Sequence, residues 1–308
     1  MHVESPSTMF GATMCYVALR LLGVARDEDC MALGRIFLHA HGGCTYTGSW
    51  AKFYLCLLGA MEWAGHQVIP PEAWLLPQWI PFHPARLWCH CRMVYLPMSY
   101  LYGTKYVYPD AETDATVLSL REELYAPGVP YAEISWAETK ELVAEIDNYS
   151  PIHPLMTAAQ RALSVWEACG GAALRFLRGR GLAFAVEYMH AEDLQTNFID
   201  IGPVNKVLNM LSCYVEAGHK TSDDFERHLL RVTEQGRTQR CVPALPGQHG
   251  PSTGHCHVQP LGVARVLLPT WCEPEGAAWA PSAWAPSCAL PCTPRATQAA
   301  QRRVSLAV

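Results

Sequence analysis

The chain has 308 residues, of which half are hydrophobic and 17% are charged, and its formal net charge is −5. This length allows a sizeable core, and the negative charge excludes the strongly basic balance expected of a nucleic-acid-binding protein. Six arginines and two glutamates give residues 237–308 a charge of +4, which leaves −9 for residues 1–236. Residues 237–308 also contain 10 of the 23 prolines and 5 of the 13 cysteines. The sequence therefore divides into two segments of different composition.

The first predicted helix follows residues 9–21. Apolar side chains recur there at intervals of three and four residues, at Phe10, Met14, Val17 and Leu21. Ser7 or Thr8 can cap the start of this helix, and Gly23 can end it in the left-handed conformation. The pattern predicts an amphipathic helix with both ends marked.

Two further helices with similar stripes are predicted before residue 66. The second carries Leu33, Ile36, Phe37 and Ala40 and stops at Gly42 and Gly43. Ser49 caps the third, which ends at Gly65 and carries Trp50, Phe53, Leu57 and Met61. Three helices that end at glycines about twenty residues apart predict stacked helical hairpins.

Residues 69–84 interrupt this helical pattern. Five prolines alternate there with Trp74, Trp79 and Phe82, which predicts an extended, aromatic-rich connection. Helical spacing then returns over the segments 86–103, 114–125, 135–147, 154–168, 172–190, 203–217 and 222–235. Pro97 marks a kink or a start, and Pro203 takes a first-turn position. Because no useful stretch alternates in the manner of a strand, the sequence predicts an all-α fold.

The helical pattern ends near Arg237. Residues 237–308 show no helical or strand period and contain the near-repeat Ala-Trp-Ala-Pro-Ser at 278–282 and 283–287. Such a low-complexity segment buries too little surface to offset its ordering entropy, so we predict a disordered tail over 237–308 and a folded domain over 1–236. The abrupt change also suggests a changed reading frame, an alternative exon or a mispredicted gene, which transcript sequencing across codons 230–245 would test.

Cysteine usage indicates a reducing compartment. The count of 13 is odd and the spacing irregular, and Cys15, Cys56 and Cys213 lie among apolar helix residues. We therefore expect buried free thiols rather than a disulfide scaffold. Residues 1–12 lack a continuous apolar stretch of the signal-peptide type, and no segment has about 18 uninterrupted apolar residues. An intracellular protein is expected, with attachment to one membrane leaflet left open.

Metal-ligand residue types concentrate at Cys89, His90 and Cys91, directly after Trp88. A zinc site is one interpretation, but adjacent residues of a helix point in different directions and no second Cys/His pair follows at finger-like spacing. Packed aromatic and thiol side chains are a second interpretation. A third is a cavity wall whose aromatic faces attract a cation by roughly 0.5–2 kcal/mol each. The sequence favours no bound metal.

Other motifs give little support to a known chemistry. His255, Cys256 and His257 lie in the predicted tail, where chance composition is the simplest explanation. Asp29 and Cys30 fit a solvated first turn of a helix. The sequence has no glycine-rich phosphate loop, no Gly-x-Ser-x-Gly and no His-Glu-x-x-His. These absences leave nucleotide hydrolysis, serine esterase chemistry and zincin proteolysis without support.

One long stretch carries a family resemblance. The segment from Pro71 to Gly103, PEAWLLPQWIPFHPARLWCHCRMVYLPMSYLYG, is similar to a signature of the oxidosqualene cyclases in the terpene cyclase/mutase family. Further agreement lies at residues 2–24, 41–59, 119–125 and 199–211, and it is weaker over 131–198. The resemblance covers residues 2 to about 235 of this chain, a segment that corresponds to about a third of a full family member. It implies an incomplete α/α barrel, a toroid of helical hairpins that matches the smaller of two family barrels.

The resemblance implies a chemistry and a set of site residues. The family cyclises 2,3-oxidosqualene to lanosterol, an isomerisation that needs no cofactor, at the endoplasmic reticulum membrane or on lipid droplets. By resemblance, Trp50 and Trp88 would line the substrate cavity, and His90 would stabilise a late cation or assist its deprotonation. Residues at the substrate entrance or cavity side would be Cys91, Tyr95, Pro203 and Val204. The expected partner is 2,3-oxidosqualene or a similar apolar lipid.

The chain departs from the family pattern at the catalytic acid. The Asp-Cys-Thr-Ala-Glu motif, whose aspartate protonates the epoxide in the family, is absent, and the Gln/Trp repeats of the larger barrel are missing. We therefore expect no cyclase activity from this chain alone. One alternative is a non-enzymatic lipid- or membrane-associated helical module, suggested by the Trp/Pro/Leu connection at 69–84. Another is an unstable product without a role.

Overall fold

The computed structural model describes residues 6–80, 83–150 and 153–240, and all of its regular elements are helical. No strand occurs among these residues, which confirms the predicted all-α class. The α-helices are α1 (Met9–Leu21), α2 (Asp29–Ala40), α3 (Ser49–Leu58), α4 (Cys89–Thr104), α5 (Ala115–Glu123), α6 (Pro154–Cys169), α7 (Ala172–Thr196), α8 (Pro203–Glu216) and α9 (Asp223–Arg240). None of these helices combines the length and the apolar composition needed to cross a bilayer.

Helix α1 begins and ends where its sequence predicts. The Thr8 hydroxyl accepts a hydrogen bond from the Gly11 amide at 3.0 Å, and Gly23 has a φ of 89° just beyond the helix. Two further amides of the first turn, those of Met9 and Phe10, donate to the Asp147 carboxylate at 2.8 and 2.7 Å. A carboxylate at this position satisfies free amides and interacts favourably with the helix dipole. The start of α1 is therefore fixed to a turn 138 residues away.

Helix α3 lies in the centre of the core. Phe53, Cys56 and Leu57 are fully buried, and the buried Lys52 ammonium donates to the carbonyl oxygens of Thr139 and Leu142 at 2.5 and 2.9 Å. Burial lowers the pKa of Lys52 to about 8. The two carbonyls supply the hydrogen bonds that a buried ammonium requires. Lys52 thereby ties the loop after residue 139 to the central helix.

Helices α4 and α7 meet at the turn formed by Pro71–Leu75. Two helical glycines allow this close approach, since a Cβ at Gly103 would lie 2.9 Å from Pro71 Cγ and one at Gly181 would lie 2.6 Å from the Pro71 carbonyl. Arg178 of α7 adds an ion pair to Glu72 of the turn, with 2.7 Å between Nε and Oε1. The connection predicted to be extended thus contains 3-10 turns at Pro71–Leu75 and Pro84–Arg86, and the first of these turns packs against both helices.

Two predicted helix extents were wrong, and so was the predicted Ser49 cap, because Ser49 is the first residue of α3 and the preceding Gly48 is its N-cap. Residues 135–147 form the short 3-10 turns Trp136–Glu141 and Glu145–Asp147, although their apolar spacing resembles that of an α-helix. Helix α3 stops before Gly59, whose φ of 78° ends it six residues before Gly65. The stripe of α2 faces outward, because Leu33 is 67% exposed while Met31 and Leu38 are buried. A buried stripe and an exposed one have the same spacing in the sequence.

The cysteine prediction holds in part. The eight cysteines of the described residues are free thiols, and Cys56 and Cys213 are buried as expected. Cys15 is exposed, so its predicted burial was wrong, since α1 buries the side that carries Tyr16 and Val17.

The predicted tail falls mostly outside the described residues. Helix α9 runs to Arg240, four residues past the proposed boundary at 236, and residues 241–308 are not described. The predictions about His255, Cys256 and His257 and about the Ala-Trp-Ala-Pro-Ser repeat concern residues of that segment, outside the described residues.

Candidate functional site

The segment with the family signature forms the start of α4. Trp88 is the N-cap residue of this helix and is 69% exposed, and its ring centroid lies 4.4 Å from that of the exposed His90. Cys91 follows on the same turn and is half-buried. The rings of Trp88 and His90 therefore form a small aromatic surface that is open to solvent at the start of α4.

One turn further along α4, Tyr95 contacts a residue from a distant part of the sequence. The indole Nε1 of Trp50, at the start of α3, donates to the Tyr95 hydroxyl at 3.3 Å. The two rings meet edge to face, with centroids 6.1 Å apart and planes at 88°. Such a geometry places the positive ring edge of one residue against the negative face of the other. Two of the residues named by the resemblance thus form one wall.

A proline links this wall to α8. Pro97 lies inside α4 and has no N–H, so the carbonyl of Met93, four residues earlier, lacks its helical donor. The side-chain amide of Asn205 on α8 donates to that carbonyl at 2.8 Å. Pro203 and Val204, which precede Asn205, are both exposed at the first turn of α8. The hydrogen bond holds the start of α8 against α4.

The predicted site residues therefore fall into three linked groups. Contacts join Trp50 with Tyr95 and Trp88 with His90, and Pro203 and Val204 adjoin α4 through Asn205. Cys91 lies on α4 between the first two groups, one turn from Tyr95. All of these side chains are half-buried or exposed, so the arrangement forms an open surface rather than a closed cavity.

The Cys89–His90–Cys91 run does not bring three metal donors together with a fourth residue. Cys89 and Cys91 are half-buried on the first turn of α4, and His90 points to solvent. Where potential donors do converge among the described residues, they belong to other segments, around Asp193. The arrangement of this run fits a wall of aromatic and thiol side chains.

Sequence reasoning missed a buried ionic cluster between α7, α8 and α9. We call it the Asp193 cluster; it consists of Asp193, Asp200, Lys206 and His228, whose side chains are at most 3% exposed. Lys206 Nζ lies 2.9 Å from His228 Nδ1 and 3.8 Å from Asp200 Oδ2, and it donates to the Phe198 carbonyl. His228 Nε2 lies 3.3 Å from Asp193 Oδ2. Asn209 also donates to Asp193, at 2.9 Å.

Burial and mutual charge decide the protonation of the Asp193 cluster. Burial and the neighbouring Asp193 carboxylate raise the pKa of Asp200 to about 8, while burial lowers the pKa of Lys206. Burial would raise the pKa of Asp193 too, but its contact with His228 brings the pKa below the usual value. These charges are paired within the cluster.

Three residues of the Asp193 cluster are of types that bind metal ions. Asp193, Asp200 and His228 offer ligand atoms within 4.8 Å of one another. The Lys206 ammonium, 2.9 Å from His228 Nδ1 and 3.8 Å from Asp200 Oδ2, already supplies a positive charge to this group. The geometry favours an ionic link between three helices. Lys206 lies opposite the predicted apolar stripe of α8, where a charged residue is ordinarily solvated, so the sequence contained no signal for this cluster.

Comparison with known proteins decides the family. The family model of the squalene–hopene cyclase N-terminal domain matches residues 1–235. The chain belongs to this cyclase family. Over 76% of its length it is 39% identical to cycloartenol synthase of Dictyostelium discoideum, 38% to lanosterol synthase of Mus musculus and 39% to lanosterol synthase of Homo sapiens. The resemblance to oxidosqualene cyclases is thereby confirmed.

The cyclase match extends over every residue of the candidate surface and of the Asp193 cluster, because both lie before residue 235. The chain spans about a third of the length of these relatives, between 31% and 32%. Residues 1–235 therefore correspond to the N-terminal domain that the family model describes.

Proposed function

We propose that this cyclase domain contributes an aromatic wall that binds 2,3-oxidosqualene or a similar apolar lipid. The observation that carries the proposal is the contact between Trp50 and Tyr95, which brings the starts of α3 and α4 together on an open surface. The names of the relatives, lanosterol synthase and cycloartenol synthase, support a triterpenoid substrate. Sterol biosynthesis at the endoplasmic reticulum membrane or on lipid droplets is the setting that we propose.

Each residue of the surface has a proposed part in binding. The faces of Trp50 and Trp88 would contact the lipid and attract positive charge that develops along its chain. His90, whose ring contacts that of Trp88 with the two planes tilted by 53°, would stabilise a late cation or take up its proton. Cys91 and Tyr95 would border the lipid entrance, and Pro203 with Val204 would complete the side nearest α8. No cofactor is part of this proposal.

We further propose that these 308 residues do not cyclise oxidosqualene alone. Opening the epoxide requires a strong acid, and the sequence contains no Asp-Cys-Thr-Ala-Glu motif. Trp88 is 69% exposed, so water would reach a carbocation beside it and quench the reaction. The proposal therefore separates lipid binding, which this surface supports, from catalysis.

The test measures binding and product in the same preparation. Purified full chain is incubated with 2,3-oxidosqualene, products are separated by gas chromatography, and affinity is measured by displacement of a fluorescent apolar lipid. Trp50→Leu should weaken binding by about 3- to 10-fold, because an aromatic contact contributes roughly 0.5–1.5 kcal/mol beyond its area. Tyr149→Phe, at an exposed tyrosine outside the surface, is the matched control.

Two results would contradict the proposals. A cyclised triterpene formed by the wild-type chain would overturn the absence of catalysis. Equal affinities of the wild type and Trp50→Leu, with Tyr149→Phe unchanged, would overturn the binding surface.

A non-enzymatic membrane-associated module is the second candidate function. Trp79, in the proline-rich connection, is 77% exposed, and Leu76 nearby is also exposed. Exposed tryptophan is typical of segments at a membrane surface. Loss of liposome binding in Trp79→Ser would support this candidate, and unchanged binding would contradict a role for the connection.

A further inference from the structure

Metal-binding residue types meet at the edge of the Asp193 cluster, where α7 and α8 approach each other. His190 and Asp193 are three residues apart on α7 and therefore share one side of that helix. Cys213 of α8 faces them, with its Sγ 3.9 Å from Asp193 Oδ2. Each of the three residues offers one ligand atom, and these atoms lie within 4.8 Å of one another. We call His190, Asp193 and Cys213 the His190 site.

Two carboxylates flank the His190 ring. Glu216 Oε2 lies 2.7 Å from Nε2, and Asp224 Oδ2 lies 3.5 Å from Nδ1. Whichever ring nitrogen binds a metal ion, a carboxylate remains beside the other nitrogen to accept its proton. Such a carboxylate orients a metal-bound histidine and makes it a stronger ligand. The site therefore has both ligands and the partners that hold one of them in place.

The charge around Cys213 is of the kind that a bound cation balances. Burial, and after it the carboxylates of Asp193, Asp224 and Glu216, raise the pKa of the Cys213 thiol. Lys206, on the same helix, is held by the other members of the Asp193 cluster. A divalent cation at the His190 site would reverse the effect of these carboxylates and convert the thiol to its thiolate form.

We propose that the His190 site binds one Zn²⁺ ion, which joins α7 to α8. Nitrogen, oxygen and sulfur donors form a set that zinc accepts, whereas Mg²⁺ and Ca²⁺ prefer oxygen alone. The His190 side chain is 31% exposed, so the ion can enter from solvent and a water molecule can fill the fourth position of the tetrahedron. The donors of a tetrahedral zinc site lie roughly 3.5 Å apart, so these side chains would close by up to about 1 Å.

Zinc binding exchanges a proton for the metal ion. The S–H bond of Cys213 breaks, a Zn–S bond forms, and the proton leaves to solvent. Asp193 can bind the ion and keep its contact with His228, because its two oxygens offer about four lone-pair directions. The ion would therefore add to the Asp193 cluster rather than replace a contact in it, and its binding does not depend on a bound lipid.

The test titrates Co²⁺, a spectroscopic substitute for Zn²⁺, into the full chain after treatment with a chelator. Charge-transfer absorption between thiolate and Co²⁺ reports a cysteine ligand, and competition by Zn²⁺ gives the zinc affinity. Cys213→Ser and His190→Gln each remove a ligand, and Cys30→Ser, at an exposed cysteine that follows Asp29, is the matched control. Each variant is compared with the wild type, because the 13 cysteines and 13 histidines of the chain include other donors. Far-UV circular dichroism checks that each variant retains its helices.

The wild type should bind one equivalent of Co²⁺ more than Cys213→Ser, with the thiolate absorption of that equivalent, and Cys30→Ser should match the wild type. His190→Gln should weaken the binding of this equivalent by at least about 100-fold, which exceeds the roughly 10- to 100-fold effect of an outer partner such as Glu216. Undiminished thiolate absorption in Cys213→Ser would overturn the proposal, as would equal zinc affinities of the wild type and His190→Gln. Because His190 is partly exposed, its variant decides the question even if Cys213→Ser does not fold.

Discussion

Gly181 tests how closely α7 approaches the turn at Pro71–Leu75. An alanine Cβ there would lie 2.6 Å from the carbonyl carbon and oxygen of Pro71 and 2.9 Å from the amide nitrogen of Glu72. These three atoms belong to the backbone, so a side-chain rotation cannot relieve the clash. Helix α7 would have to move away from the turn. We therefore expect Gly181→Ala to destabilise the fold.

The size of the effect follows from two opposed contributions. Replacing glycine by alanine inside an unstrained helix stabilises it by about 1 kcal/mol. Overpacking a core position costs about 1–3 kcal/mol, and moving α7 also weakens the ion pair between Arg178 and Glu72. With the weakened ion pair included, we expect a net loss of about 1–2 kcal/mol, which for a domain of this size lowers the thermal midpoint by about 2–8 °C.

Gly179 provides the control on the same helix. A Cβ at Gly179 would meet no atom within 4 Å, so Gly179→Ala should raise stability by up to about 1 kcal/mol. Urea unfolding followed by far-UV circular dichroism measures both variants against the wild type. If Gly181→Ala and Gly179→Ala stabilise the protein equally, the close packing of α7 on the turn is refuted.

Two further predictions concern buried carboxylates. The folded state holds the proton of Asp200 up to about pH 8, whereas the unfolded chain releases it near its ordinary pKa of 3.8, so this group makes stability fall as the pH rises between these values. Asp200→Asn should flatten that decline in unfolding free energy measured from pH 4 to 8, and an equal decline in Asp200→Asn and the exposed control Asp223→Asn would contradict the assignment. Glu123 is buried and paired with Arg20 at 3.1 Å, so Glu123→Gln should cost about 2–4 kcal/mol of unfolding free energy in urea, while Glu122→Gln, at the exposed neighbour, should change little. Similar effects of the two glutamine variants would show that the ion pair contributes nothing.

Local sequence signals were sufficient to predict the ends of helices at which a capping residue, a glycine or a proline adjoins the helix. Thr8 and Gly23 delimit α1, and Pro203 begins α8, because a hydroxyl cap, a left-handed glycine and a first-turn proline act on their own backbone. The exposed faces of α2 and α6 were beyond such signals. Leu33 and Trp166 have the spacing of core residues, and only the packing of other elements decides that they face solvent.

The candidate surface and the Asp193 cluster differ in how far the sequence could reveal them. Trp50 and Tyr95 were brought together by the family resemblance, since 45 residues separate them and no periodicity relates them. Asp193, Lys206 and His228 lie on three different helices, and their meeting depends on the angles between those helices. The spacing of charged residues along one chain does not encode those angles.

The proline in α4 has a consequence for how α8 can move. If α8 slid by one turn along α4, Asn205 would leave the Met93 carbonyl, and a part-buried acceptor without a donor costs about 1–3 kcal/mol. A helix with every N–H in place would impose no such penalty, because its carbonyls need no outside donor. The Met93 carbonyl that Pro97 leaves without a helical donor therefore fixes the position of α8 along α4. We therefore expect α4 and the start of α8 to move together, which keeps Tyr95 and Val204 in a fixed position relative to each other.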